Sequence, residues 1–374
     1  SPKVMRARLR AAFILVLTIG LLAFFLRNAD LAAVWAEVRA ADPGLLAAAT
    51  VLTLSTYLIR TVRWQALLGP LGRVRFWEAF RATVIGFASS VILPARAGEF
   101  LRPYLLARRE QLSATAVFAT VVVERVLDLT TVLLLLGGFL LLFDPGLAAR
   151  DPANFAAVRA GGATAALVAV GALVLLVALA GHPDWLARWA ERIERLLPAR
   201  AAGRIDRVVR RFTQGLATVR QPRRLLTALL WSLPLWLLLA AGIWLTARAF
   251  HMTVPYTGSF LIVAFLVVGV SVPTPGAVGG FHAAFQVAVT RFYGVPNDRA
   301  VGAAIVLHAL SFLPVALLGA AFMLHDGLSL ARVRALASGG MGDDSAPLTR
   351  DEPTGAPAED DPAVRPVGEA GGVR

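Results

Sequence analysis

The chain contains no cysteine, and Lys3 is the single lysine among its 37 basic residues. Without cysteine, disulfides, thiol catalysis and Cys-ligated metals are excluded together. Catalytic and nucleotide motifs are missing too. There is no Gly-x-Ser-x-Gly elbow, no His-Glu-x-x-His pair and no Gly-x4-Gly-Lys loop. His282 and His308 stand 26 positions apart with no supporting ligand pattern. The sequence therefore predicts no catalytic residue, no metal and no cofactor, and any energy coupling would draw on an ion gradient rather than ATP.

What the chain does hold is apolar. Of 374 residues, 57% are hydrophobic, and the mean hydropathy is +0.67, the composition of an integral membrane protein. The net charge of +13 would suggest nucleic acid in a soluble protein. Here the arginines lie between apolar stretches, which favours anionic lipid head groups and membrane orientation, with no nucleic-acid partner. Stretches able to span lie at about 11–26, 44–60, 112–143, 155–180, 225–250 and 300–325. The first follows Lys3, Arg6, Arg8 and Arg10, lacks a small-residue cleavage site and reads as a retained helix.

A short pattern occurs twice, 181 residues apart: Ser90-x3-Pro94-x3-Gly98-x-Phe100 and Ser271-x3-Pro275-x3-Gly279-x-Phe281. Each copy breaks an apolar region, about 77–108 and about 258–293. Sixteen residues before Pro94 make about 24 Å of helix, short of a comfortable crossing. Both regions are therefore expected to be re-entrant helical hairpins, with Pro94, Gly98, Pro273 and Pro275 as gating or structural breaks. The fold expected is all-α and polytopic, with about six full spans plus the two hairpins. Repeat 1 covers about 44–143 and repeat 2 about 225–325.

Arginine placement sets the expected topology. With the N-terminus in the cytoplasm, the inner segments collect Lys3, Arg6, Arg8, Arg10, Arg60, Arg63, Arg73, Arg75, Arg108 and Arg109, and 181–224 adds eleven more. The span at 225–241 then runs opposite to its counterpart at 44–60, making the halves an inverted-topology repeat. Within the polar loop 182–222, Trp185, Trp189, Ile193 and Leu196 form one helical stripe. Ile205, Val208, Val209, Phe212, Leu216 and Val219 form a second. Both suit amphipathic helices at the cytoplasmic interface. A membrane domain of 1–335 is expected, then a disordered, acidic cytoplasmic tail over 336–374, whose Asp343-Asp344 and Asp360-Asp361 pairs read as solvated charge.

Ionisable residues at membrane depth are costly and mark function. Arg96, Glu99 and Arg102 sit at the first hairpin's tip, while Glu124, Arg125 and Asp128 fall within a 100° arc of the next span. Two readings remain open: internal neutralisation, or an arginine free to grip phosphate through its planar fork. Arg60, Arg63 and Arg81 are basic extras nearby. The second hairpin carries no carboxylate. Its glycines Gly276, Gly279 and Gly280 expose backbone amides, and a half-helix starting near Gly279 offers an anion site. The candidate substrate contacts are thus Ser90, Arg96, Glu99, Arg102, Glu124, Arg125, Asp128, Ser271, Gly276, Gly279, Gly280 and His282.

The stretches Leu58-Ile-Arg-Thr-Val-Arg-Trp64, Leu93-Pro-Ala-Arg-Ala-Gly-Glu-Phe-Leu-Arg102, Ala119-Thr-Val-Val-Val-Glu-Arg-Val-Leu-Asp128 and Pro273-Thr-Pro-Gly-Ala-Val-Gly-Gly-Phe281 resemble the flippase-like transmembrane domain of lysylphosphatidylglycerol synthases. The resemblance runs over about residues 10 to 330. It implies a multi-pass protein of the bacterial inner membrane, both termini cytoplasmic, that moves lipid between leaflets. Anionic phospholipid, aminoacylated phospholipid and isoprenoid-linked lipid are the substrate classes it implies. The aminoacyltransferase domain of two-domain relatives is expected to be absent, so the chain is expected not to be an enzyme; a separate lipid-synthesising enzyme and a second copy of the chain are candidate partners. Two other functions stand beside transport: a lipid-modifying transferase using Glu124 or Asp128 as base near His282, and a non-transporting scaffold acting through loop 182–222.

Overall fold

The computed structural model describes residues 2–92, 98–142, 152–182 and 204–328, with Trp185, Arg188 and Arg192 between them. Among these residues there are α-helices and short 3-10 turns but no strand. Apolar helices satisfy their own backbone groups, which is what a chain this hydrophobic needs in lipid. Helix α1 (Pro2–Leu26) turns through 77° into α2 (Leu31–Ala40), whose first turn is capped by the Asp30 carboxylate. Asp42 and Pro43 likewise start α3 (Pro43–Leu68). Then come α4 (Phe76–Ile92), α5 (Gly98–Arg109), α6 (Ala114–Leu142), α7 (Pro152–Gly181) and α8 (Arg204–Gly215). A 3-10 turn at Leu216–Arg220 leads to α9 (Pro222–Ala249), α10 (Gly258–Ser271), α11 (Gly280–Tyr293) and α12 (Asn297–His325).

Five helices, α3, α6, α7, α9 and α12, are long and apolar enough to cross a membrane, and the bent pair α1–α2 makes a sixth if taken together. The all-α polytopic fold stands. The 14 residues of α10 reach only about 21 Å, too short to cross alone. Large apolar side chains on α1 and α7, among them Phe13, Val16, Leu167 and Val174, face outward from the bundle, as lipid-facing helices do.

Helices begin at 43, 76, 98 and 114 and again at 222, 258, 280 and 297. Long, short, short, long recurs in both halves. Helix α3 packs most extensively on α9, its counterpart, while α4 packs on α5 and α12, and α10 packs on α11 and α6. In each hairpin the arms cross at paired glycines. A Cβ on Gly98 would overlap the Gly86 carbonyl, and a Cβ on Gly280 would overlap that of Gly269. Helix starts make Gly280, rather than Gly279 of the repeated motif, the counterpart of Gly98, and eight residues separate α10 from α11 where five separate α4 from α5.

At one end of the bundle, Arg109 of α5 pairs with Glu78 of α4 at 2.8 Å and with Asp326 just beyond α12. Arg81 reaches the same aspartate at 3.5 Å. These pairs bind the first hairpin to the last helix. Of the loop 182–222, the second expected stripe is described apart from the Ile205 side chain: α8 is helical, and Phe212 and Leu216 pack into the core around α6. Trp189, Ile193 and Leu196 lie outside the described residues, as does the expected tail 336–374.

Candidate functional site

Between the two hairpins lies a cavity of about 370 Å³. Helix α3 contributes Tyr57 and Arg60, the first hairpin Ser90, Gly98, Glu99 and Arg102, and α6 Arg125 and Asp128. Trp236 of α9, Ser271 and Gly276 of the second hairpin, and Phe312 of α12 close the other side. The end of α4 meets the turn before α11 here: a Cβ on Gly276 would stand 3.5 Å from the Val91 carbonyl oxygen. Gly276 holds φ at 57°, in the left-handed region where a side chain is strained, so glycine suits both the turn and the contact.

Charge is organised around one carboxylate. Glu124 is fully buried, and its Oε1 receives Arg102 at 2.9 Å, Arg63 at 3.0 Å and Arg125 at 3.2 Å. Asp128 Oδ1 takes Arg63 at 2.5 Å and the Trp236 indole N–H at 3.0 Å, while its Oδ2 lies 3.5 Å from Arg125. Ser232 accepts a further bond from Arg63 at 2.9 Å. Arg102 also lies over the Trp64 ring, 3.8 Å from its centroid. The helical spacing of Glu124, Arg125 and Asp128 does face them into the bundle, where bilayer and apolar side chains would otherwise leave them unsolvated.

Arg63 takes a role that its place in the sequence conceals. As a nearby basic residue on a helix end it reads as peripheral, yet it is wholly enclosed and bridges both acids. Its position one turn after Arg60, facing the same side of α3, was the available signal. Arg60 itself lines the cavity over the Phe87 ring at 5.0 Å and has no carboxylate within ion-pair distance among the described residues. Several guanidinium nitrogens of the cluster, Arg102 Nε and Nη2 and Arg125 Nε, are buried without a hydrogen-bond acceptor among the described residues.

Not every expected contact reaches this cavity. Arg96 and Pro94 lie outside the described residues. Ser90 and Ser271 line it, each bonding its hydroxyl back to the carbonyl four residues earlier, Gly86 and Val267. Pro273 and Pro275 are exposed beside it. Gly279 and Gly280 serve packing instead, against Leu21 of α1 and against Gly269. His282 faces Phe25 and His308, its ring 4.5 Å from that of His308, and its Nδ1 takes the Gly279 N–H at 3.3 Å. That bond occupies one amide of the expected anion site at Gly279. His308 Nε2 donates to the Gly276 carbonyl at 2.8 Å and braces the turn. No group of three or more metal-ligating side chains occurs among the described residues.

Comparison with known proteins agrees with this architecture. A curated relative, named "Glycosyltransferase AglD", from Haloferax volcanii, is 28% identical over 347 residues, covering 84% of this chain and 54% of the relative. The chain thus spans about half the length of that protein. The sequence profile described as "Lysylphosphatidylglycerol synthase TM region" matches residues 11–319, nearly all of the helical bundle described above. The chain belongs to the lysylphosphatidylglycerol synthase transmembrane-region family.

Proposed function

We propose that the protein is a flippase for an anionic lipid, moving it between leaflets by alternating access of two hairpins in inverted-repeat halves. Membership of a membrane family named for lipid synthesis supports a lipid-related role. The observation that carries the reading is the charge of the cavity. Arg60, Arg102 and Arg125 line it with Glu99 and Asp128, and Arg63 pairs with Glu124 behind them, a net charge of +1 among the described residues. Glu124 and Asp128 are already engaged by arginine, whereas Arg60 is not. A phosphate in the cavity would find Arg60 without a carboxylate partner, with Arg102 and Arg125 on the same walls. Aromatic and aliphatic walls leave the acyl chains in apolar surroundings.

In this reading the protein sits in the bacterial inner membrane with cytoplasmic termini, and a separate enzyme makes its lipid. A lipid-modifying transferase has less support, because both candidate bases are locked by guanidinium groups and neither is free to take a proton. The test is reconstitution into liposomes carrying labelled anionic, aminoacylated and zwitterionic phospholipids. Transbilayer movement of the anionic label well above that in empty vesicles, and its loss in Arg60→Gln, is the expected result. No movement of any label would end the flippase reading, and a new lipid species formed instead would favour the transferase.

A further inference from the structure

A second pocket, of about 350 Å³, lies at the end of the bundle opposite the Arg109–Asp326 pairs. It is formed by the last residues of α1, the second half of α11 and the start of α12, with Phe24, Arg27, Asn28, Gln286, Arg291 and Asn297 on its walls. None of its lining residues is acidic. Arg27 and Arg291 are both exposed and have no carboxylate within ion-pair distance among the described residues; Arg27 rests on the Phe24 ring at 4.3 Å. The neighbouring carboxylates are occupied elsewhere. Asp30 caps α2, and Asp298 accepts the Asp30 backbone N–H at 3.0 Å.

The floor is built rather than accidental. Gln286 donates to the Phe25 carbonyl at 3.3 Å and to Asn297 at 2.6 Å, and Asn297 donates to the Asn28 carbonyl at 2.9 Å. These bonds tie three helices around the pocket and fix the spacing of the arginines. Next to the pocket runs the exposed apolar face of α1, with Phe13, Val16, Ile19 and Phe24 at 44% exposure or more. Cationic groups at a helix end above a lipid-facing stripe match an amphiphile: an anionic head group in the pocket and chains along the helix.

We propose that this pocket is a second lipid site, distinct from the central cavity, that holds the phosphate of an anionic phospholipid between Arg27 and Arg291. It concerns equilibrium binding and stands whether or not the protein transports. The full chain is placed in nanodiscs of phosphatidylcholine doped with phosphatidylglycerol, and retained lipids are counted by native mass spectrometry across a titration. Arg27→Gln/Arg291→Gln is expected to lose one retained phosphatidylglycerol and to weaken its binding about tenfold. Arg248→Gln, which removes a charge stacked on Trp244 instead, should retain it. Because both arginines are exposed, the double variant is expected to keep the thermal midpoint of the parent. Unchanged retention in the double variant overturns the site. Displacement of the lipid by millimolar inorganic phosphate alone would also overturn it, assigning the pocket to a soluble anion.

Discussion

Arg63 Nη2 lies 3.0 Å from Glu124 Oε1, and neither side chain is exposed to solvent. Enclosed ion pairs cost desolvation, and removing one partner strands the other. Arg63→Gln should therefore destabilise the protein by about 3–5 kcal/mol, leaving Asp128 with Arg125 at 3.5 Å and the Trp236 N–H. Arg60→Gln, which breaks no ion pair, should fold as the parent does. Thermal unfolding followed by fluorescence size exclusion in detergent compares them; equal midpoints for the two variants would reject the central role of Arg63.

Arg125 is partly open to the cavity while held by Glu124 and Asp128. With Arg102 and Arg63 together balancing Glu124 and Asp128, Arg125→Gln should insert and fold normally. Its transport should fall by about tenfold or more if the guanidinium grips phosphate. Arg125→Lys keeps the charge but not the planar fork, and should restore little. Parental transport rates in well-expressed Arg125→Gln would leave the residue a counter-ion only.

The glycine crossings give a matched pair of tests. Gly98→Ala and Gly280→Ala each press a methyl into the carbonyl of the opposite arm, at Gly86 and Gly269. Each should cost about 1–3 kcal/mol as overpacking forces the arms apart. Gly161→Ala meets nothing within 4 Å and should be neutral or slightly stabilising. Melting temperatures of the three proteins in one detergent provide the comparison, and a harmless Gly98→Ala would contradict the close crossing.

Trp236 anchors Asp128 from α9 through its indole N–H. Trp236→Phe keeps an aromatic ring and deletes the donor, at an expected cost of about 1.5–3 kcal/mol for a bond to a charged acceptor. Trp236→His, which can restore an N–H, should recover part of that. Resistance to proteolysis across a denaturant series distinguishes the two, and a Trp236→Phe protein as resistant as the parent would show that the bond contributes nothing.

The helix ends at Ile92 and Ser271, and the new starts at Gly98 and Gly280, were visible in the sequence because proline and glycine interrupt apolar stretches there, and backbone breaks leave strong local signals. Glu124 and Asp128 were equally visible, since a carboxylate on an otherwise apolar helix is too costly to face lipid and must find a partner inside the bundle. Arg63 was not, because a helix-end arginine looks the same whether it meets water or a carboxylate from 61 residues away. The same limit hid the roles of Gly279 and His282. Pattern alone marks a break in a helix, but which neighbour fills the gap is decided by α1 and α12, far off in the chain.

The end of α4, at Val91, packs beside the turn at Gly276, so these two segments form one joint at the cavity. Close backbone approach of Gly86 to Gly98, and of Gly269 to Gly280, would favour each helix pair moving as a unit under the proposed alternating access. Under the proposed alternating access, both doors standing open at once would require breaking that joint, so the barrier against ion leakage would be set by backbone contact rather than by any charged gate.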